Sequence, residues 1–144
     1  MKKLLLFVLL LTTTIAFANE NRCGKIYVSS SSGEIMESLD QANIKYELVD
    51  GAYDAEQRLE NTDIYLEMWY YETNHRNFTT LWNHKTVVYF GIKTLEMTNN
   101  QLTEIDEKKA KASYYRDIDG LQKVENKIMA NTSKVINQLK EYCN

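Results

Sequence analysis

The stretch that decides the fold is Thr86–Met97, which reads TVVYFGIKTLEM. β-Branched and aromatic residues dominate it, and such residues fit the pleated, half-buried surface of a sheet better than a helix. Two further apolar stretches flank it in the chain, at Asp63–Tyr71 and at Leu102–Tyr115. The sequence therefore predicts a central strand with a partner strand on each side.

Side-chain alternation extends this strand towards the N-terminus. Between positions 78 and 97, every second residue belongs to one face of a single long strand. These residues are Phe78, Thr80, Trp82, His84, Thr86, Val88, Phe90 and Ile92. A break or bulge is expected near Asn83–Lys85. Gly91, in the middle of the strand, indicates a close approach by backbone or by an aromatic ring. The polar run Glu72–Asn77 predicts the preceding hairpin turn.

Helices and strands are predicted to alternate before this region, and one helix follows it. The expected elements are a strand at Lys25–Ser29, a helix at Glu34–Ala42 capped by Ser32, a strand at Ile44–Val49, a helix at Ala52–Asn61, and a helix from a cap at Asp117 or Asp119 to about Tyr142. The last helix has an apolar stripe of Leu121, Val124, Ile128, Val135, Ile136 and Leu139, which Cys143 continues. The predicted fold class is α+β, a mixed sheet with an antiparallel meander, packed on one face by helices including the long C-terminal one.

Residues 1–18 have the three parts of a secretory signal peptide. Lys2 and Lys3 form a basic start, Leu4–Leu11 is an unbroken apolar run, and the sequence AFA that ends at Ala18 is a cleavage site of A-x-A type. The apolar run is shorter than the roughly 20 residues that a membrane-spanning helix needs. An uncleaved anchor is the alternative. We expect an exported protein of bacterial type, periplasmic or secreted.

Length and charge limit what the remainder, residues 19–144, can be. A chain of 144 residues has room for one domain with a proper core, and its 26% of charged residues is ordinary for a globular protein. Of the 17 basic residues, 15 remain without Lys2 and Lys3, against 20 acidic ones, so the formal charge is −5. This charge argues against nucleic acid or an anionic membrane surface as the main partner. No later apolar run is long enough to span a membrane.

The two cysteines, Cys23 and Cys143, lie near the two ends of the expected mature chain. An even pair in an oxidising compartment predicts a disulfide, whereas a C-x-x-C redox site or a zinc knuckle needs close spacing. Two unpaired buried thiols are the alternative. If the bond forms, the end of the last helix must pack beside the start of the first strand, with the two Cα atoms within about 7 Å.

The order of elements resembles the small α+β domains of bacterial envelope proteins, such as the N-terminal domain of the TolB translocation protein and the core of the curli-secretion protein CsgG. The resemblance rests on a helix leading into a strand that ends in V-D, at Met36–Asp50, and on the short D-I-Y strand motif within Asn61–Glu67. The long hairpin and final amphipathic helix of Thr86–Leu139 complete it. It implies fold and compartment at most. The functions of these domains are assembly and scaffolding, with no active-site residues to carry across to this chain.

Candidate catalytic or metal-ligating residues are few. His75 and His84 are the only histidines, and with Glu67 or Glu72 they could form a two-histidine, one-carboxylate metal site across a hairpin. Solvent-exposed hairpin histidines are the alternative. The serine run Ser29–Ser32 precedes a helix N-terminus that could hold an anion, but it lacks the glycines and lysine of a phosphate loop. We interpret it as a polar turn with a cap. No pattern predicts a cofactor.

The aromatic residues are the more informative candidates. Tyr65, Trp69 and Tyr71 lie on the strand face opposite the expected core, and Phe78 and Trp82 lie in or near the next strand. If helices cover only one face of the sheet, these rings form an exposed patch, and exposed aromatic patches are enriched at binding surfaces. A second layer or the chain's own loops covering the rings is the alternative. The predicted binding residues are Tyr65, Trp69, Tyr71 and Trp82.

Three hypotheses on function follow. The first is an exported, non-enzymatic module that binds another protein through this aromatic face. The second is a small metal-dependent or hydrolytic enzyme that uses the hairpin with His75 and His84. The third is a secreted inhibitor or effector, which the sequence does not separate from the first. A stoichiometric metal content that disappears on mutation of both histidines distinguishes the second hypothesis from the others.

Overall fold

The computed structural model describes residues 22–76, 84–115 and 118–144 of the chain. These residues form the following elements: β1 (Ile26–Ser29), α1 (Gly33–Gln41), β2 (Glu47–Val49), α2 (Gly51–Arg58), β3 (Ile64–Arg76), β4 (His84–Thr98), β5 (Gln101–Tyr115) and α3 (Ile118–Cys143). The predicted signal peptide, the Phe78–Asn83 part of the long strand and the Asp117 cap lie outside the described residues. The signal peptide and the domain bounds therefore remain predictions.

One mixed sheet organises the described residues, with its strands in the order β2-β1-β3-β4-β5. β1 pairs in parallel with both β2 and β3, so α1 and α2 are the crossover connections of two β-α-β units. β3, β4 and β5 form an antiparallel meander. The arrangement confirms the predicted α+β class, with Thr86–Met97 inside the strand that has a long neighbour on each side.

One face of the sheet, which we call the covered face, packs against α1 and α3. The first half of α3 lies on the meander, where Phe90 and Val88 pack against Val124. Its second half packs with α1 on the first strands of the sheet. The buried residues of that larger cluster are Cys23, Val28, Ile35, Leu39, Ile64, Leu66, Ile92, Val135, Ile136 and Leu139. The predicted stripe of α3 is thus its core face, except that Leu121 is 50% exposed.

The opposite face carries α2 at the end of the sheet where β3 begins. Ala55 and Leu59 pack there against Tyr27, Val49 and Tyr65. The amphipathic α2 needs a second apolar surface because α1 and α3 already occupy the covered face. Burial raises the pKa of Tyr65 to about 12, since the phenolate form would lose its hydration.

Polar residues at the far end of the meander continue the strands instead of turning. The hairpin turn predicted at Glu72–Asn77 is wrong for its described part, because β3 extends to Arg76 and pairs with β4 up to His84. Backbone hydrogen bonds to a long neighbour outweigh the weak strand propensity of these polar residues. A register shift does occur between β4 and β5, where Thr94 pairs with Asp106 and Leu95 with Glu104. The additional residue, Ile105, belongs to β5, at the other end of the meander from the predicted bulge.

The predicted disulfide joins Cys23 to Cys143, whose Cα atoms are 5.0 Å apart. It holds the end of α3 beside the start of β1, as the sequence requires. Arg22 adds two contacts at this point. Its backbone N–H donates to the carbonyl of Cys143 at 2.9 Å, and its guanidinium donates to the Tyr142 hydroxyl at 2.9 Å. The first and last described segments are therefore fastened together.

Within the described ranges, no helix combines the length and the apolar character needed to cross a membrane.

Candidate binding surface

Beyond α2, the second face of the meander forms a surface that we call the open face. Its grid follows from the register, in which Trp69 pairs with Gly91 and Tyr71 pairs with Tyr89. On the other side of β4, Gly91 pairs with Lys109 and Tyr89 with Lys111. Directly paired residues of antiparallel strands point to the same face. Trp69, Tyr71 and Tyr89 belong to none of the three hydrophobic clusters of the described residues, so no described helix is packed on them there.

Trp69 lies across the backbone of Gly91. A Cβ atom at Gly91 would come within 2.6 Å of the indole ring, so only glycine leaves room for it. The indole N–H reaches the next strand and donates to Glu107 Oε1 at 2.9 Å. Gly91 thus receives an aromatic ring, as predicted, and the hydrogen bond fixes the ring's orientation.

Glu107 joins the tryptophan to the charged edge strand. Its other carboxylate oxygen lies 2.7 Å from Lys109 Nζ, and only 15% of its side chain is exposed. The hydrogen bond from Lys109, and to a smaller extent that from Trp69, hold the pKa of Glu107 below its ordinary value. The same pairing raises the pKa of Lys109. The carboxylate is therefore charged at neutral pH and already bound by two donors.

The aromatic row continues from Trp69 to Tyr71 and Tyr89. The Trp69 and Tyr71 rings have centroids 5.9 Å apart with planes 12° from parallel. The Tyr71 and Tyr89 rings are 4.8 Å apart and 11° from parallel. Stacked rings in register are stabilised across strands, and they present an ordered apolar surface. Tyr71 remains 52% exposed, whereas Trp69 and Tyr89 are half-buried.

The predicted binding residues are brought together only in part. Trp69 and Tyr71 are adjacent on the open face, while Trp82 lies outside the described residues. Tyr65 shares their side of β3 but is fully buried beneath α2, so the expectation that this ring is exposed is wrong. Sequence reasoning missed Tyr89 and Glu107. Alternation along β4 puts Tyr89 on the same face as Gly91, but only the register shows which rings it meets.

Both edges of the sheet are guarded against strand addition. At β2, which has only three residues, the Arg58 guanidinium donates to the Leu48 carbonyl at 2.8 Å. At β5, the Asn131 side-chain amide donates to the Lys108 carbonyl at 3.4 Å. The charged run Lys108–Lys111 lies on β5, the last strand of the sheet. Short strands, lysines and covering side chains are the usual protections of exposed edges. Addition of a further strand at either of these edges is therefore disfavoured.

The metal site predicted at His75 and His84 stays a prediction, because the side chains of both histidines lie outside the described part of the structure. The register pairs His75 with Lys85 and His84 with Arg76, so the two histidines are not direct partners across the hairpin. Among the side chains that the structure describes, no three His, Cys, Asp or Glu groups are arranged to hold a metal ion.

The serine run forms a turn in which Ser29 and Ser32 are buried and Ser30 and Ser31 are exposed. Ser32 is completely buried at the start of α1, where its hydroxyl accepts the backbone N–H of Met68 at 3.1 Å. The hydroxyls of Ser29 and Ser31 are 2.9 Å apart and hydrogen-bonded to each other. Ser32 is the N-cap residue, as predicted, but its side chain fastens β3 and makes no capping bond. These hydroxyls are occupied structurally.

Comparison with known proteins leaves the chain without an assigned family. No family model matches it, and no curated protein matches it significantly. Among solved structures it is similar to the rare lipoprotein B from Shewanella oneidensis, with 10% identity and a TM-score of 0.39 over 83% of this chain and 92% of that one. Lipoprotein GNA1162 from Neisseria meningitidis gives 14% identity and a TM-score of 0.36 over 82% and 99%. These scores are too low to transfer a function.

Proposed function

We propose that this chain is an exported, non-enzymatic binding module of the bacterial envelope, and that its open face binds a protein partner. The observation that carries the proposal is the stacked row of Trp69, Tyr71 and Tyr89 on the side of the meander opposite α3. Tryptophan and tyrosine are enriched among the residues that dominate binding energy at interfaces.

The rigidity of the row supports a binding role. Gly91 leaves the space in which Trp69 lies, and Glu107 fixes the indole by a hydrogen bond. Side chains that are already ordered lose less conformational entropy when a partner binds. An aromatic surface maintained by a glycine, a carboxylate and two stacked tyrosines is therefore better prepared for association than a set of loose rings.

The compartment in this proposal rests on the sequence and on the disulfide. The signal-peptide pattern in residues 1–18 predicts export. A disulfide between Cys23 and Cys143 fits an oxidising compartment such as the periplasm or the cell exterior. The resemblance to envelope assembly domains agrees with a module that binds another protein. The inhibitor or effector role is the same binding activity directed at a partner from another organism.

The test replaces the row and follows capture of a partner. A Trp69→Ala, Tyr71→Ala double variant should stay folded and retain much less of the specific protein from envelope extract. Its affinity for that protein should fall at least tenfold, which is about 1.4 kcal/mol or more of binding free energy. Folding is checked by circular dichroism and urea denaturation.

A matched control removes two exposed tyrosines from other surfaces. Tyr53 on α2 is 78% exposed, and Tyr70, which points to the covered side of β3, is 72% exposed. A Tyr53→Ala, Tyr70→Ala variant should retain the partner at the wild-type level. Retention that is equal in both double variants, or lost only in the control, shows that the open face is not the binding surface.

A further inference from the structure

A shallow pocket lies at the β5 edge of the meander, between the open face beside the aromatic row and α3, at the end away from α2. Its volume is about 300 Å³. Val87 and Tyr89 of β4 line its apolar side, and Ser113 of β5 lies opposite Val87 in the register. Three lysines from three different elements complete the wall, namely Lys85 of β4, Lys111 of β5 and Lys127 of α3.

These three lysines differ from Lys93 and Lys109 of the open face. Lys93 lies 3.8 Å from a carboxylate oxygen of Glu104, and Lys109 lies 2.7 Å from one of Glu107. Lys85, Lys111 and Lys127 make no ion pair with any carboxylate that the structure describes. All three are exposed. The whole chain has a formal charge of −3. The three lysines, which no described carboxylate pairs, therefore form a positive patch on an acidic protein.

We propose that the Lys85–Lys111–Lys127 pocket, together with Tyr89, receives an acidic peptide segment of the protein partner. This rests on the proposed function and adds the chemistry of the ligand to it. Carboxylates of the segment pair with the three ammonium groups, and an aromatic or aliphatic side chain of the same segment packs against Tyr89 and the stacked Tyr71. The pocket and the row together form one amphipathic docking strip.

The construction of the pocket favours peptide carboxylates over other anions. Its described lining has lysine side chains but no helix N-terminus of the kind that cradles phosphate with backbone N–H groups. The whole chain is acidic, and net negative charge opposes approach to an anionic lipid surface. An extended segment, in contrast, can reach the lysines and the aromatic row at the same time.

The experiment uses residues 19–144 in oxidised form and a defined probe. The probe is a synthetic peptide that combines a run of glutamates with a tyrosine. The control peptide has glutamines in place of the glutamates. At low ionic strength, the acidic peptide should shift the amide NMR signals of Lys85, Tyr89 and Lys111 and saturate. The glutamine peptide should bind at least about tenfold more weakly, given three exposed ion pairs. Added salt should weaken the binding of the acidic peptide more than that of the glutamine peptide.

A matched pair of variants locates the site. A triple variant that replaces the pocket lysines should bind the acidic peptide about tenfold more weakly. Its substitutions are Lys85→Gln, Lys111→Gln and Lys127→Gln. A control triple variant removes the same charge from exposed positions outside the pocket, by Lys45→Gln, Lys134→Gln and Lys140→Gln. Its affinity for the acidic peptide should stay within about twofold of the wild type, because only the overall charge of the protein has changed. Equal weakening in both variants overturns the proposal.

Two further arms separate this inference from other anions and from the proposed function itself. Inorganic phosphate and vesicles of phosphatidylglycerol are tested in the same way. If either shifts the same NMR signals more strongly than the acidic peptide does, the choice of an acidic peptide as ligand is wrong. If the acidic peptide fails to bind while partner capture still depends on Trp69 and Tyr71, this inference fails and the proposed function stands. If capture is independent of both rings, the proposed function fails instead.

Discussion

The two faces of the meander are made from alternate residues of the same strands and yet have opposite roles. Phe90 and Tyr89 are neighbours in β4, but Phe90 is fully buried under α3 whereas Tyr89 is stacked on Tyr71 in partial contact with solvent. The covered face uses its side chains for the core. The open face uses aromatic and charged side chains in a fixed arrangement that the core does not require. Stability and binding can therefore be changed separately by moving a substitution one residue along a strand.

The largest expected effect comes from breaking the covered face at Phe90. Phe90→Ala should lower the free energy of unfolding by about 3–5 kcal/mol, because it leaves a cavity between β4 and α3. Tyr89→Ala should lower the free energy of unfolding by only about 1 kcal/mol, because the ring is partly solvated and only its stacking on Tyr71 is lost. Urea denaturation of the two variants measures the difference. Equal losses would contradict the division between the faces.

The disulfide variant should produce the next largest effect and should act on the covered face. Replacing Cys23 and Cys143 by serine should cost about 2–4 kcal/mol, because the unfolded chain is no longer constrained and the end of α3 loses its link to β1. In hydrogen exchange, amides near the end of α3 should lose protection, while those of β3 and β4 near Trp69 should change little. An open face that loosens as much as α3 would show that the two faces are not independent.

A smaller effect is expected from filling the space under the indole. Gly91→Ala should lower the free energy of unfolding by about 1–2 kcal/mol, because the added Cβ would meet the Trp69 ring. In a Trp82→Phe background, where Trp69 is the only tryptophan, the emission of Trp69 should shift to longer wavelength as the ring leaves Glu107. Unchanged emission would show that the ring does not need the glycine. Thr94, a buried residue of the covered face, offers Thr94→Ala as a control that leaves the emission unchanged.

The smallest effect is a titration on the open face. Glu107 has a lowered pKa, so the stability that it contributes is present above its ordinary pKa of 4.5 and is lost as the pH falls through the lowered value. The indole N–H signal of Trp69 should therefore shift with a midpoint below pH 4.5. Lys109→Gln should move the midpoint up, and Glu107→Gln should abolish the transition. A midpoint at or above 4.5 in the unmodified protein would contradict the pairing.

The sequence by itself determined the features that depend on near neighbours in the chain. Alternation of apolar residues in Thr86–Met97 placed Val88 and Phe90 on one face and Gly91 on the other, because the side-chain period of a strand is two. The stripe of α3 predicted its core face for the same kind of reason. The two cysteines predicted their own pairing, which in turn required α3 to end beside β1.

Only the tertiary structure decided the features that depend on contacts between distant segments. Tyr65 and Trp69 have the same parity in β3, but α2 buries the first and leaves the second half-exposed. The register of β3 against β4 set Tyr71 on Tyr89, and the further register of β4 against β5 brought Lys111 beside them. Alternation gives each strand two faces, but it does not say how far the strand slides along its neighbour or which helix lies on which face. Those choices are made by the packing of the whole chain.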